Sequence, residues 1–218
     1  MKNSHFYKPE EGHRLPHCPL KAIVAPRPIG WISTLDDDGV VNLAPYSFFN
    51  LICETPPILA FSSKGRKDTL RNVEATGEFV ANLATYAQAN EMNGSAAELP
   101  SHIDEMAYVK LKQAPGRMVK VPHVDSAPAA LECRAISTKE IYDFGGKGTG
   151  WYQIIGQIVG IHINRGFLRD GLFDTATAGT VARCGYRGQY AHVDELFEMI
   201  RPNEASALFK PGGGNNPS

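Results

Sequence analysis

Hydroxyls, a glycine and three cations stand within eight consecutive residues, Ser62-Ser63-Lys64-Gly65-Arg66-Lys67-Asp68-Thr69. Such a set can bind an anion: the hydroxyls donate hydrogen bonds, and Lys and Arg neutralise charge while donating more. A phosphate monoester is the group it suits best. An apolar run, 56–61, reads as a strand entering the set, and 70–75 has a helix-like pattern leaving it. The set therefore falls at a helix N-terminus, where unpaired backbone N–H groups and the positive end of the helix dipole favour an anion. Taken alone, the run reads better as a solvated turn, because strand-to-helix turns with a few cations are common. The surrounding blocks shift that balance.

The positioning elements are mostly strands. Pro26 and Pro28 break any helix and suggest an edge or bulge before a strand at 29–35. Asp36-Asp37-Asp38-Gly39 reads as a hairpin turn; as a calcium loop it lacks the required spacing and the distal Glu. Residues 40–45 are the return strand, and Asp68 and Gly77 are expected to cap and stop the helix between them. Residues 78–83 alternate as a strand. Thr85-Tyr86-Ala87-Gln88 has capping-box spacing and opens a helix ending near Gly94. Ser101 to Asp104 is a further cap, and 110–124 is irregular. Two long strands follow at 131–141 and 151–164, separated by a loose glycine loop that fits no nucleotide fingerprint. Val193, Leu196, Phe197 and Ile200 match the stripe of a closing helix stopped by Pro202. Hairpin-connected strands with short inserted helices predict a mainly β fold, an antiparallel barrel of Greek-key type with short peripheral helices.

The 218 residues suffice for one large core, and 1–210 reads as one domain with 211–218 as a disordered tail. A net charge of −1 argues against general nucleic-acid or membrane-surface binding. Cys18, Cys53, Cys133 and Cys184 are scattered, with no CxxC pair; reduced, buried thiols in a cytoplasmic protein fit best, and no metal site is expected. No apolar stretch approaches a membrane span.

Three blocks in order carry a resemblance: Pro26-Arg27-Pro28-Ile29-Gly30-Trp31-Ile32-Ser33-Thr34, Asn42-Leu43-Ala44-Pro45-Tyr46-Ser47-Phe48-Phe49-Asn50, and Pro56-Pro57 through to Lys67-Asp68-Thr69. It continues in Gly77-Glu78-Phe79-Val80-Ala81-Asn82-Leu83, in 155–162 and in Ala182-Arg183-Cys184-Gly185-Tyr186. The chain resembles the flavin reductase-like family of FMN-binding split barrels. The resemblance implies a homodimer with FMN near the subunit interface, and hydride transfer from NADH or NADPH to flavin. Electrons would pass on to free flavin, a partner oxygenase or another acceptor. Carried over, Trp31, Ile32, Ser33 and Thr34 would flank the isoalloxazine ring, and Pro45, Tyr46, Ser47 and Asn50 would follow its edge and the ribityl chain. Ser62, Ser63, Arg66, Lys67, Asp68 and Thr69 would hold the phosphate. Arg183 and Tyr186 would complete the pocket from the partner chain.

Each residue also has a plain structural reading. A lone aromatic such as Trp31 is usually core, Ser33 and Thr34 favour strands, Asn50 can cap a turn, and His123 and His162 are more often satisfied structural residues than proton donors. A flavin-binding electron carrier or sensor without NAD(P)H activity remains a second reading, because no nicotinamide fingerprint is present. A small-barrel nucleic-acid binder is disfavoured by the balanced charge.

Overall fold

A computed structural model describes residues 4–199. Its main sheet has seven strands: β1 (Gly30–Leu35), β2 (Val41–Tyr46), β3 (Phe49–Glu54), β4 (Pro57–Lys64), β5 (Glu78–Leu83), β6 (Ala129–Tyr142) and β7 (Gly148–Ile163). The order is β2-β1-β5-β6-β7-β4-β3, and every neighbouring pair is antiparallel. The fold is the expected antiparallel split barrel with short helices at its periphery.

The turn between β1 and β2 forms as its sequence requires. The Asp36 carboxylate accepts from the N–H groups of Asp38 (3.0 Å) and Val40 (2.7 Å), and Gly39 sits at φ +81°, where a side chain would strain the backbone. The two-residue period of β1 sends alternate side chains to different cores. Ile32 joins Leu59, Phe61, Phe79 and Ile154 inside the barrel, whereas Trp31 joins Val41, Leu43, Met92 and Met106 on the other side. The Phe61 ring lies between Tyr46 (4.9 Å between centroids) and Phe79 (5.4 Å). A Cβ on Gly156 would stand 2.4 Å from the Phe79 ring, so this glycine lets β7 pass close over the core.

Several expectations need correction. Residues 51–54, which the sequence does not mark as a strand, belong to the edge strand β3, and Leu51 and Ile52 are exposed there. The strand read as ending at Phe61 continues to Lys64, so Ser62 and Ser63 lie within it rather than in a turn. Asp68 is not the N-cap; Lys67 is, and Asp68 pairs with Arg71 instead. The Thr85–Gln88 capping box is not made: the two side chains bond each other at 3.3 Å, and a 3-10 turn, Tyr86–Gln88, precedes the helix α2 (Ala89–Gly94). Residues 193–199 form no helix; Ile200, Pro202 and the tail 211–218 lie outside the described residues. Of the four cysteines, all free thiols, only Cys133 is buried, and its burial pushes the thiol pKa up. No described helix is long and apolar enough to cross a membrane.

Candidate functional site

The anion set is organised by the helix α1 (Asp68–Thr76). Leu70 and Val73 fix it by plugging the barrel core. It ends at Gly77, whose left-handed φ of +72° lets its N–H return to the Val73 carbonyl at 2.9 Å. Its start is different: Lys67, the N-cap, is extended and no side chain caps the first turn. First-turn N–H groups normally find an acceptor. Here Lys67, Asp68 and Thr69 line an open cleft of about 410 Å³. Its opposite wall is Asn42, Pro45 and Tyr46 of β2, closed by Ser95, Ser101 and Glu105.

A buried polar network holds β2 to α1. Asn42 Nδ2 donates to Thr69 Oγ1 (2.8 Å) and to Thr34 Oγ1 (3.1 Å), and Asn72 Nδ2 also donates to Thr34 Oγ1 (3.1 Å). Burial raises the pKa of the Tyr46 hydroxyl, outweighing the opposing influence of the nearby Thr69 and Ser63 hydroxyls, so the phenol stays neutral. Glu105, in the short helix α3 (Glu105–Tyr108), is buried and accepts from the Leu43 N–H at 3.2 Å. Burial pushes its carboxyl pKa up, making it easier to protonate than an exposed Glu.

The cations differ in commitment. Arg66 forks onto Glu74 and stands 5.7 Å from the Tyr152 ring centroid. Arg71 pairs with Asp68, offsetting that carboxylate at the helix start, and reaches Ser101 at 3.3 Å; Glu98 and Glu105 also line the cleft. Lys67 makes no ion pair among the described residues.

The sequence-predicted residues fall into three groups. Pro45, Tyr46, Arg66, Lys67, Asp68 and Thr69 come together in this cleft. Trp31, Ile32, Ser33 and Thr34 are fully buried. Trp31 Nε1 donates to Ser95 Oγ at 2.9 Å, Ser33 Oγ to the Pro122 carbonyl at 2.7 Å, and Ile32 fills the barrel. Ser63 is buried too, its hydroxyl donating to the Gly65 carbonyl at 3.2 Å, while strand alternation turns Ser62 to the other face. Asn50 is exposed on β3 and caps its own neighbour, accepting from the Leu51 N–H at 2.9 Å. Ser47, Arg183 and Tyr186 stand in a second cavity with Arg27. Sequence reasoning missed Asn42, Arg71, Ser95 and Glu105 as cleft residues. Asn42 had a signal, a polar residue inside an apolar strand; Glu105 had none.

The sequence profile of the flavin reductase like domain matches residues 24–178. An uncharacterised relative from Deinococcus radiodurans is 40% identical over 195 residues, spanning 84% of this chain and 82% of its own. Nitrilotriacetate monooxygenase component B from Bacillus cereus has a similar structure, with a TM-score of 0.78 and 26% identity over 90% of this chain and 96% of that one. The 2-nitrobenzoate 2-nitroreductase of Pseudomonas fluorescens follows at a TM-score of 0.75 and 25% identity, covering 89% and 92%.

Proposed function

The chain belongs to the flavin reductase-like family, whose chemistry is flavin-related oxidation and reduction, and from that premise we propose that it is an FMN-dependent oxidoreductase fed by NADH or NADPH. One observation carries the reading: the N-terminus of α1 is uncapped and opens into a cleft beside Lys67 and Thr69. A phosphate monoester there meets backbone N–H groups, an ammonium group and the helix dipole together.

The rest of the cleft fits FMN. Its volume of about 410 Å³ is of the size that takes a small cofactor. Lys67 and Thr69 would hold the phosphate, with Arg66 contributing less because Glu74 already engages it. The Asp68–Arg71 pair offsets the Asp68 carboxylate next to the anion. Pro45 and Tyr46 offer a flat, partly apolar wall, and Asn42 keeps that wall at a fixed distance from the helix. Glu105, whose carboxyl burial makes easier to protonate than an exposed Glu, borders the same cleft. Trp31, Ser33 and Thr34 would support this wall from behind rather than touch the ring, since their side chains are sealed. When bound, FMN supplies the two-electron chemistry, and the chain's residues bind and orient it and limit water.

A homodimer is part of the reading, supported by the exposed apolar Phe48, Leu51 and Ile52 on and beside edge strand β3. Transfer to a partner oxygenase is supported by the monooxygenase component among the similar structures, and a nitroaromatic acceptor by the nitroreductase. We place the protein in the cytoplasm on its free, unpaired thiols.

The test is an absorbance spectrum of purified protein with FMN, followed by anaerobic titration with NADH and with NADPH. Bound flavin that bleaches with one of them supports the reading and names the donor. Bound flavin that stays oxidised makes the protein a carrier or sensor. No flavin binding at all removes the phosphate site and the function with it.

A further inference from the structure

The second cavity, about 640 Å³, lies beyond the Pro45–Tyr46 wall: Ser47, the next residue, lines it. Lys21, Arg27, Arg183 and Arg187 line it as well, with no Asp or Glu among its lining residues. None of these four cations forms an ion pair among the described residues. The chain as a whole carries a net charge of −1, so this positive excess is local and not the background of a basic protein.

Two features make the excess a built one. Arg27 is only 7% exposed, and its Nε is buried with no hydrogen-bond partner. Its other nitrogens donate to neutral acceptors only, the carbonyls of Lys21, Val24 and Cys184. A buried guanidinium without a carboxylate keeps most of its desolvation cost. The second feature is register. The short strand Arg27–Pro28 pairs antiparallel with Val181–Arg183, and Arg27 lies directly opposite Arg183. Directly opposed residues share a face, and like charges there repel. The carbonyl clamp explains why Arg27 holds the turn Leu20–Ile23 in place. It does not explain why a second arginine is set against it, with Lys21 and Arg187 added and no acid nearby.

An anion in the cavity would offset both costs. We infer that this cavity is a second anion subsite, separate from the α1 cleft, for a small molecule bearing a phosphate or pyrophosphate group. Several cations around one space favour an oligoanion over a lone carboxylate. Arg183 is held 4.4 Å over the Tyr190 ring, which restricts it in advance of binding. The His17 and Tyr186 rings, 5.9 Å apart, supply a surface for a planar base if the phosphate belongs to a nucleotide. The same chemistry could come from a dinucleotide electron donor or from a free oligophosphate.

The experiment is isothermal titration of the full chain with inorganic pyrophosphate, with and without saturating FMN, repeated with adenosine diphosphoribose. The variants are R183A, R187A and the double change, none of which touches the carbonyl clamp. Pyrophosphate should bind wild type in the presence of FMN and weaken by about tenfold or more for each arginine removed. FMN affinity should stay unchanged in R187A, whose side chain lines this cavity alone. Adenosine diphosphoribose binding well above pyrophosphate assigns the site to a dinucleotide; equal binding assigns it to a free oligoanion. Three outcomes overturn the inference: no pyrophosphate binding by wild type, equal binding by the double variant, or loss of FMN affinity in parallel in R187A, which would make the cavity part of the cofactor site. A failure of FMN to bind wild type would defeat the proposed function but leave the pyrophosphate comparison readable.

Discussion

Glu132 and Arg27 are both charged and both buried, at 0% and 7% exposure, yet their surroundings are opposite. The Glu132 carboxylate accepts from the N–H groups of Arg117 (2.8 Å), Met118 (2.6 Å) and Val119 (2.8 Å), and from His162. Burial alone would raise its pKa, but these donors overcome that and hold it at about 2. Arg27 meets three carbonyls, leaves Nε without a partner and faces Arg183. The first charge is fully spent inside the protein, where it fastens the segment 117–119 to β6. The second is left over and borders a cavity. A buried charge that is satisfied is an anchor, whereas one that is not points to something the chain still has to bind.

The contrast can be broken most directly at Glu132. Glu132→Gln removes the charge and puts an NH2 where one carboxylate oxygen accepts, against the N–H groups of Met118 and Val119 or against Arg117 N–H and His162; it should cost about 3–5 kcal/mol in urea unfolding. A loss below about 1 kcal/mol would remove Glu132 from the role of anchor. The pH dependence follows. The folded pKa lies below the ordinary 4.5, so the stabilisation is complete above pH 4.5 and fades as pH falls toward about 2. The Gln variant should lack this acid-sensitive part in a pH series of melting curves.

The next effect belongs to binding. Lys67→Ala should weaken FMN by about 1.5–3 kcal/mol, read as a shift in the dissociation constant. Arg66→Ala should cost less, because Glu74 already engages that guanidinium. If Arg66 proves the larger, the phosphate lies outside the helix start.

Arg27→Met should be milder than the change at Glu132, about 1–2 kcal/mol, since removing an unpaired buried charge returns part of the desolvation cost. A loss as large as that of Glu132→Gln would make Arg27 an anchor as well. The smallest expected effect is Trp31→Phe, about 1 kcal/mol for the lost bond to Ser95. Because Ser95 lines the cleft, the spectrum of bound flavin tests the sealed position of Trp31: a large change would put that ring against the cofactor.

The strands were legible where one rule decided them. Alternation set β5, β6 and β7, the Asp-rich turn joined β1 to β2, and Gly77 stopped α1, because each depends on residues a few positions apart. Edge strand β3 was not legible: it is exposed, and its pairing with β4 supplies the order that its composition lacks. The closing stripe from Val193 had helical spacing but forms no helix over 193–199, since spacing permits a helix and packing must stabilise it.

The same division runs through the sites. By itself the sequence determined that a set of hydroxyls and cations stands before a helix and that two motif blocks precede the one that holds it, because those are properties of adjacent residues. Only the tertiary structure decided which members share a space. It sealed Trp31 and Ser33 inside the fold, turned Ser62 away from Ser63 and brought Glu105 and Ser95 across to the cleft. It also set Arg27 against Arg183, 156 positions along the chain and directly opposite in register. Which face a side chain takes, and which distant strand lies across from it, depends on pairing register, and register is fixed only when the whole sheet buries its core.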